Sequence, residues 1–168
     1  MSDSTLRSRT CKLWGEHNPT LDTSPMEVVS QLKRISALLE LAVEPIYNGA
    51  ELTVAEVELL VPLRYADGAV TAIRLAEHLG MSRAGVSKTL AKLERRGLIS
   101  RAPNPTDRRS VLIDLTDSGM RAIDDVFPRE LDAHAKLLAG LRRDQDEILA
   151  TLNRLAEAME SQLHTPPE

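Results

Sequence analysis

The sequence predicts a mainly α-helical chain with a small β-hairpin: a winged helix-turn-helix domain flanked by long dimerisation helices. Three observations carry this fold class. Between Thr71 and Leu115, two short helical segments meet at Gly80-Met81-Ser82, and the second stops at Gly97. Two short apolar runs follow, enclosing Asp107-Arg108-Arg109-Ser110 at their tip. On either side, residues 24–50 and 117–163 repeat apolar side chains at three- and four-residue steps, the period of a helix with one greasy face. The expected division is an N-terminal extension (1–23), a first dimerisation helix (24–50), the winged helix-turn-helix (51–116), C-terminal dimerisation helices (117–163) and a tail (164–168).

Residues 1–23 include Gly15, Asn18, Pro19, Thr20 and Asp22, and read as a mobile extension with a short helical turn near Leu13 and Trp14. Ser24-Pro25-Met26-Glu27 opens the first long helix: serine caps, proline suits the first helical position, and the glutamate reaches back to the cap. Val28, Leu32, Ile35, Leu39 and Ala42 then form one stripe, and Pro45, lacking an amide donor, bends its end. Thr53-Val54-Ala55-Glu56 repeats the capping pattern for a second helix, with Val57, Leu60 and Leu63 inward and a kink at Pro62. Asp67-Gly68 ends it, and Ala69-Val70-Thr71 suits a very short strand. The next helix, 72–79, buries Ile73, Leu75 or Ala76, and Leu79, before Gly80 offers a left-handed stop.

Ser82 caps the following helix, which turns Val86, Leu90 and Leu93 inward. Strands over 98–102 and 110–115 flank a loop whose prolines, Pro103 and Pro105, preclude helix. Thr116 restarts helix over about 117–139, with a bend at Pro128 and a break at Gly140. A last helix over about 142–162 aligns Ile148, Leu152, Leu155 and Met159, and Leu149, Ala156 and Leu163 widen that stripe.

Composition narrows the function. The 168 residues are 42% hydrophobic, enough for a packed core, yet no apolar run approaches the ~20 residues of a spanning helix. The first residues lack the apolar core of a secretory signal, so a cytoplasmic protein without a membrane partner is expected. One cysteine, Cys11, excludes an internal disulfide, and in a mobile extension Lys12 alone would activate it weakly. Four scattered histidines give no metal-ligand spacing, and no nucleophile–base pair or glycine-rich phosphate loop occurs. No catalytic residue, metal or cofactor is therefore expected. Only four aromatic residues argue against binding of single strands, which stack bases on aromatic platforms.

Net charge is −4, but it is unevenly spread. Thr71 to Leu115 holds nine Lys and Arg against four Asp and Glu, a local +5 that leaves −9 elsewhere. A basic docking surface on an acidic scaffold fits a polyanionic partner. In the capped helix, Arg83, Ala84, Ser87 and Lys88 lie opposite the inward triplet, with Lys92 one turn later. Small side chains at Ala84 and Gly85 let the backbone approach a major groove, while Ser87 and Lys88 can reach bases or phosphates. Arg108 and Arg109 at the hairpin tip suit a minor groove, where Asp107 can fix a guanidinium's orientation. The expected DNA-binding set is Ser82, Arg83, Ala84, Ser87, Lys88, Lys92, Asp107, Arg108 and Arg109.

Gly80-Met81-Ser82 through Lys88, Leu93-Glu94-Arg95-Arg96-Gly97-Leu98-Ile99, Asp107-Arg108-Arg109-Ser110 and Leu115-Thr116 together resemble the MarR family of regulators. The likeness extends over roughly residues 25–163. It implies a homodimeric repressor on a pseudo-palindromic double-stranded DNA operator, often released by a small phenolic or organic-acid ligand. It also implies Arg109 in the minor groove with Asp107 supporting it, and Ser82, Ser87 and Lys88 at the DNA. The extension with Trp14 resembles the branch that binds urate or related anions. Trp14 matches that branch's tryptophan and Glu58 stands for its aspartate, whereas Tyr65 and Thr89 stand where it has two arginines. With Arg64 adjacent and Asp67 in the turn, the effector candidates are Trp14, Glu58, Arg64, Tyr65 and Asp67. The alternative reading is a winged-helix protein-interaction module without specific DNA binding.

Overall fold

Caps and stops written in the sequence set most element boundaries of the computed structural model, which describes residues 3–68, 70–107 and 110–164. In chain order come α1 (Asp3–His17), α2 (Pro25–Tyr47), α3 (Val54–Arg64), β1 (Val70–Thr71), α4 (Ala72–Leu79), α5 (Arg83–Arg95), β2 (Ile99–Pro103) and β3 (Val111–Leu115). Then α6 (Asp117–Leu137), a 3-10 turn (Ala139–Leu141) and α7 (Gln145–His164) complete the fold. Thr53 and Glu56 form the reciprocal capping box, and Ser82 and Thr116 each accept a hydrogen bond from the amide three residues on. Gly80 and Gly97 adopt positive φ, 61° and 69°, where a side chain would be strained.

The hairpin is part of a three-stranded antiparallel sheet of order β1-β3-β2. Val70 of β1 pairs with Ile113, and Ile99 of β2 pairs with Leu115. The core lies beneath this sheet. Val57, Leu60 and Leu63 of α3, Leu75 and Ala76 of α4, and Val86, Leu90 and Leu93 of α5 are buried with Leu98, Ile99 and Ile113. Ile123 and Val126 of α6 close it from the long-helix side.

Four expectations need correction. The first is the N-terminal segment, which is helical from Asp3 to His17 rather than a mobile extension with one turn. Its breakers, Gly15, Asn18 and Pro19, cluster at the C-terminal end, so they stop the helix instead of preventing it. Asn18 donates through both its amide and its side chain to the Trp14 carbonyl, and packing on α2 buries Cys11. Secondly, Ser24 does not cap α2. It is already helical at φ −56° and ψ −36°, and its own amide donates to Asp22 Oδ1 at 3.0 Å, so the turn before the helix makes the start.

Thirdly, Ile73 stays 45% exposed, because Leu75 and Ala76 define the inner face of α4 and Ile73 lies about 200° around the helix from Leu75. Finally, the last helix begins at Gln145, after a 3-10 turn that the Asp144 amide closes onto Leu141.

Two further features tie the layers together. At the β3–α6 junction, Thr116 Oγ1 donates to the Gly97 carbonyl at 2.6 Å and accepts from the Gly119 amide at 3.1 Å. A Cβ at Gly119 would stand 2.0 Å from the Leu98 carbonyl oxygen, so only glycine fits where α6 crosses β2. Between α3 and α5, Glu56 is 1% exposed. Its Oε2 accepts from the Thr53 amide at 2.9 Å, while Oε1 receives Lys92 Nζ at 3.0 Å and Arg96 Nη1 at 2.9 Å. Burial alone would raise this carboxyl, but the bonds from Thr53, Lys92 and Arg96 outweigh it and hold the pKa at about 2.

The long helices are less complete. α2 rests on α6, yet Val28, Ile35 and Leu41 remain largely exposed. On α7 every apolar residue of the predicted stripe except Ile148 and Leu155 faces solvent.

Gly119→Ala should destabilise the fold by about 1–3 kcal/mol, read as a lower midpoint in denaturant melts; an unchanged midpoint would show that the junction yields. Because folding depresses the Glu56 pKa below its ordinary 4.5, its stabilisation is complete above that pH and is lost as pH falls toward 2. Glu56→Gln should therefore cost roughly 3 kcal/mol near neutrality and much less near pH 2 to 3. Denaturant titrations of both proteins across that range check it, and a pH-independent difference would contradict the assignment.

Candidate nucleic-acid interface

The helix α5 is aimed by its buried side. Val86, Leu90 and Leu93 are fully buried, so the opposite face must look outward. That face carries Ala84, Ser87, Lys88, Ala91 and Arg95, all exposed. At its start Ser82 Oγ accepts from the Gly85 amide at 3.1 Å, leaving the Arg83 and Ala84 amides without intrahelical acceptors. Thr89 donates back to the Gly85 carbonyl and is half-buried. Among the described residues Lys88 has no ion-pair partner. Arg83 lies 3.6 Å from Glu77 across the turn, both well exposed, a contact too hydrated to hold it in place.

Lys92 is the exception in the expected set. It leans onto Glu56 instead of extending outward with Lys88. The local +5 is thinned in the same way at Arg96, which reaches Glu56 and Glu51, whereas the pair of Arg101 Nε with Glu94 at 2.9 Å lies inside that count and leaves it unchanged. A count of charges along a segment does not reveal partners folded in from forty residues away.

The wing is built on its strand register, from Ile99 opposite Leu115 to Pro103 opposite Val111. Beyond it Asn104 organises the loop. Its Oδ1 accepts from the Thr106 amide and hydroxyl at 3.0 and 2.8 Å, and its Nδ2 donates to Ser110 Oγ at 2.8 Å. The Asp107 carbonyl accepts from the Ser110 amide at 3.0 Å, closing the tip. Arg108 and Arg109, expected at the groove, lie outside the described residues. Asn104 went unrecognised in the sequence, although Asn-Pro-Thr is the signature of a side chain that closes its own turn.

The effector candidates do not converge on one cavity. Trp14 is half-exposed on α1, Glu58 is exposed on α3, and Tyr65 is 82% exposed just past α3. Asp67 sits in the exposed turn before β1. Arg64 grips Asp124 of α6 through two bonds of 2.8 and 2.9 Å, and its guanidinium carbon lies 4.5 Å from the centre of the Tyr65 ring. The pairing raises the Arg64 pKa and lowers that of Asp124.

Tyr47 at the end of α2 donates to Glu130 of α6. Burial, this bond, and the charges of Glu130 and Glu58 together push its phenol pKa up. Two grooves do open along α6, lined by other residues. One of about 770 Å³ lies against Ala42 and Ile46 of α2, and one of about 550 Å³ against residues 49–52. Among the described residues no group of three His, Cys, Asp or Glu could hold a metal ion, and no helix is long and apolar enough to cross a membrane.

The model of the MarR family matches residues 48–110, the segment that contains this helix and most of the wing. The chain is 31% identical over 106 residues to the multiple antibiotic resistance protein MarR of Salmonella typhimurium, covering 62% of this chain and 71% of that one. It is 29% identical over 141 residues to the HTH-type transcriptional regulator PecS of Dickeya dadantii, covering 83% and 85%. Among solved structures, CouR from Rhodococcus jostii RHA1 bound to p-coumaroyl-CoA shares the fold with a TM-score of 0.64 at 25% identity, covering 84% of this chain and 95% of that one. The chain belongs to the MarR family of DNA-binding transcriptional regulators.

Proposed function

We propose that two copies of this chain bind a pseudo-palindromic operator in duplex DNA, in the cytoplasm, as a repressor that a small organic ligand releases. The observation that carries this reading is α5: three fully buried residues decide which face looks outward, and its exposed N-terminal end offers Ala84, Ser87 and Lys88, the last without an ion-pair partner among the described residues. A major groove admits one helix, and short side chains at the leading end let the backbone come close enough to read base edges. Ser82 and Arg83 flank the approach, and Arg108 and Arg109 of the wing enter the adjacent minor groove with Asp107 as orienter. Lys92 leaves this set, since Glu56 already neutralises it.

One reading head touches few base pairs, so affinity comes from two heads about 34 Å apart. Residues 24–50 and 117–163 hold them, because their exposed apolar stripes need a second copy to cover them. Residues 51–116 form the head, and 1–23 add α1 to the arms. The small-molecule response is supported by CouR, solved with p-coumaroyl-CoA. In this chain Trp14, Glu58, Arg64, Tyr65 and Asp67 are the candidate contacts. A free urate-like anion fits poorly there, because Asp124 neutralises Arg64 and the carboxylates of Glu58 and Glu130 stand near Tyr47. The protein acts by binding, without a catalytic step.

Titration against a palindromic duplex from the gene's own upstream region tests the proposal. Lys88→Ala and Arg109→Ala should each weaken operator binding by roughly 1–3 kcal/mol while the dimer persists. Equal affinity for operator and scrambled duplex would overturn it in favour of a protein-interaction module.

A further inference from the structure

We propose that Glu56 is a positioning residue for DNA binding: its buried carboxylate clamps Lys92 and Arg96 at the rear of α5 and so sets the angle at which the leading end meets the groove. This rests on α5 being the reading helix, as argued above.

The apolar contacts of Val86, Leu90 and Leu93 hold α5 against the core, but such contacts are non-directional and tolerate small rotations. The Glu56 cluster supplies direction. One oxygen, Oε1, receives Lys92 Nζ at 3.0 Å and Arg96 Nη1 at 2.9 Å, two donors one helical turn apart. The other oxygen is fixed by the Thr53 amide at 2.9 Å, so the carboxylate cannot swing with its ligands. Arg96 is anchored a second time, through Nη2 to the Glu51 carbonyl at 2.6 Å, ahead of α3. The rear of α5 is thus tied at two points to a helix that touches α6.

From Lys92 forward to Ala84 is eight residues, about 12 Å of helix. A tilt of about 10° at the clamp would move the leading end by about 2 Å, enough to break hydrogen bonds to base edges. Buried ion pairs contribute little net stability over an apolar packing but can select one geometry, which is the role assigned here.

A second consequence separates this clamp from a DNA contact. A lysine neutralised by Glu56 releases no counterion from DNA, whereas a lysine on a phosphate contributes close to one unit to the salt dependence of binding. The experiment measures operator affinity of the full-length protein against salt concentration for wild type, Lys88→Ala, Lys92→Met and Glu56→Gln. Circular dichroism and sedimentation confirm fold and assembly.

Lys88→Ala should lower affinity and flatten the slope by about 1. Lys92→Met should weaken specific binding several-fold with the slope unchanged. Glu56→Gln should weaken specific binding at least tenfold and steepen the slope by about 1, as a released cation turns to phosphate. A flatter slope in Lys92→Met would make Lys92 a phosphate contact and overturn the proposal, and this variant decides the matter even if Glu56→Gln fails to fold, since it keeps the Glu56–Arg96 pair. Wild-type affinity and slope in Glu56→Gln would overturn it as well. Loss of any effect in Lys88→Ala would instead sink the reading of α5 itself.

Discussion

Apolar side chains on α2, α6 and α7 that a single chain leaves in water are the constraint from which the rest of this molecule follows. Val28, Ile35 and Leu41 on α2, Leu131 on α6, and Leu149, Leu152 and Met159 on α7 are all at least two-fifths exposed. Each is already about half covered, so burying the remainder is worth roughly 1 kcal/mol apiece, and a surface carrying this many favours association. In the winged domain Val54, Tyr65, Ile73 and Val111 are exposed singly, around a core that is otherwise complete. That core is closed by α3, α4, α5, the sheet and the first half of α6. One chain is therefore a closed winged domain on arms with uncovered apolar faces, and in the proposed dimer the pairing of those arms would fix the distance between the two winged domains.

Polar ties at defined points carry that distance from arm to head. Arg64 joins α3 to α6 through Asp124, Tyr47 joins α2 to α6 through Glu130, and Thr116 with Gly119 seats the start of α6 against Gly97 and Leu98. Glu56 continues the chain of fixed geometry from α3 into α5. A ligand shifts such an assembly only if it prefers one arrangement of these ties over another.

Local signals were legible in the sequence and distant ones were not. The capping box at Thr53 and Glu56, the cap at Ser82 and the stops at Gly80 and Gly97 act over three or four residues, and the structure has them as read. The inward triplets of α3 and α5 were legible because helical period reports directly on burial. By contrast, α1 needed α2 to bury Cys11, and no feature of residues 3–17 announces that support. The pairing of Lys92 with Glu56 is not legible either, because the local pattern places Glu56 in a capping box and says nothing of a second partner. The same carboxylate performs both roles with different oxygens. Pairing of β1 with β3 likewise depends on a register between segments forty residues apart.

Sedimentation of the full-length chain at micromolar concentration tests the central claim most directly. Twice the mass of one chain, held on dilution and retained as two chains per operator duplex, is the result this account requires. A particle with the mass of one chain at every concentration would contradict it, because the exposed faces of α2, α6 and α7 would then have no partner and the two heads no fixed separation.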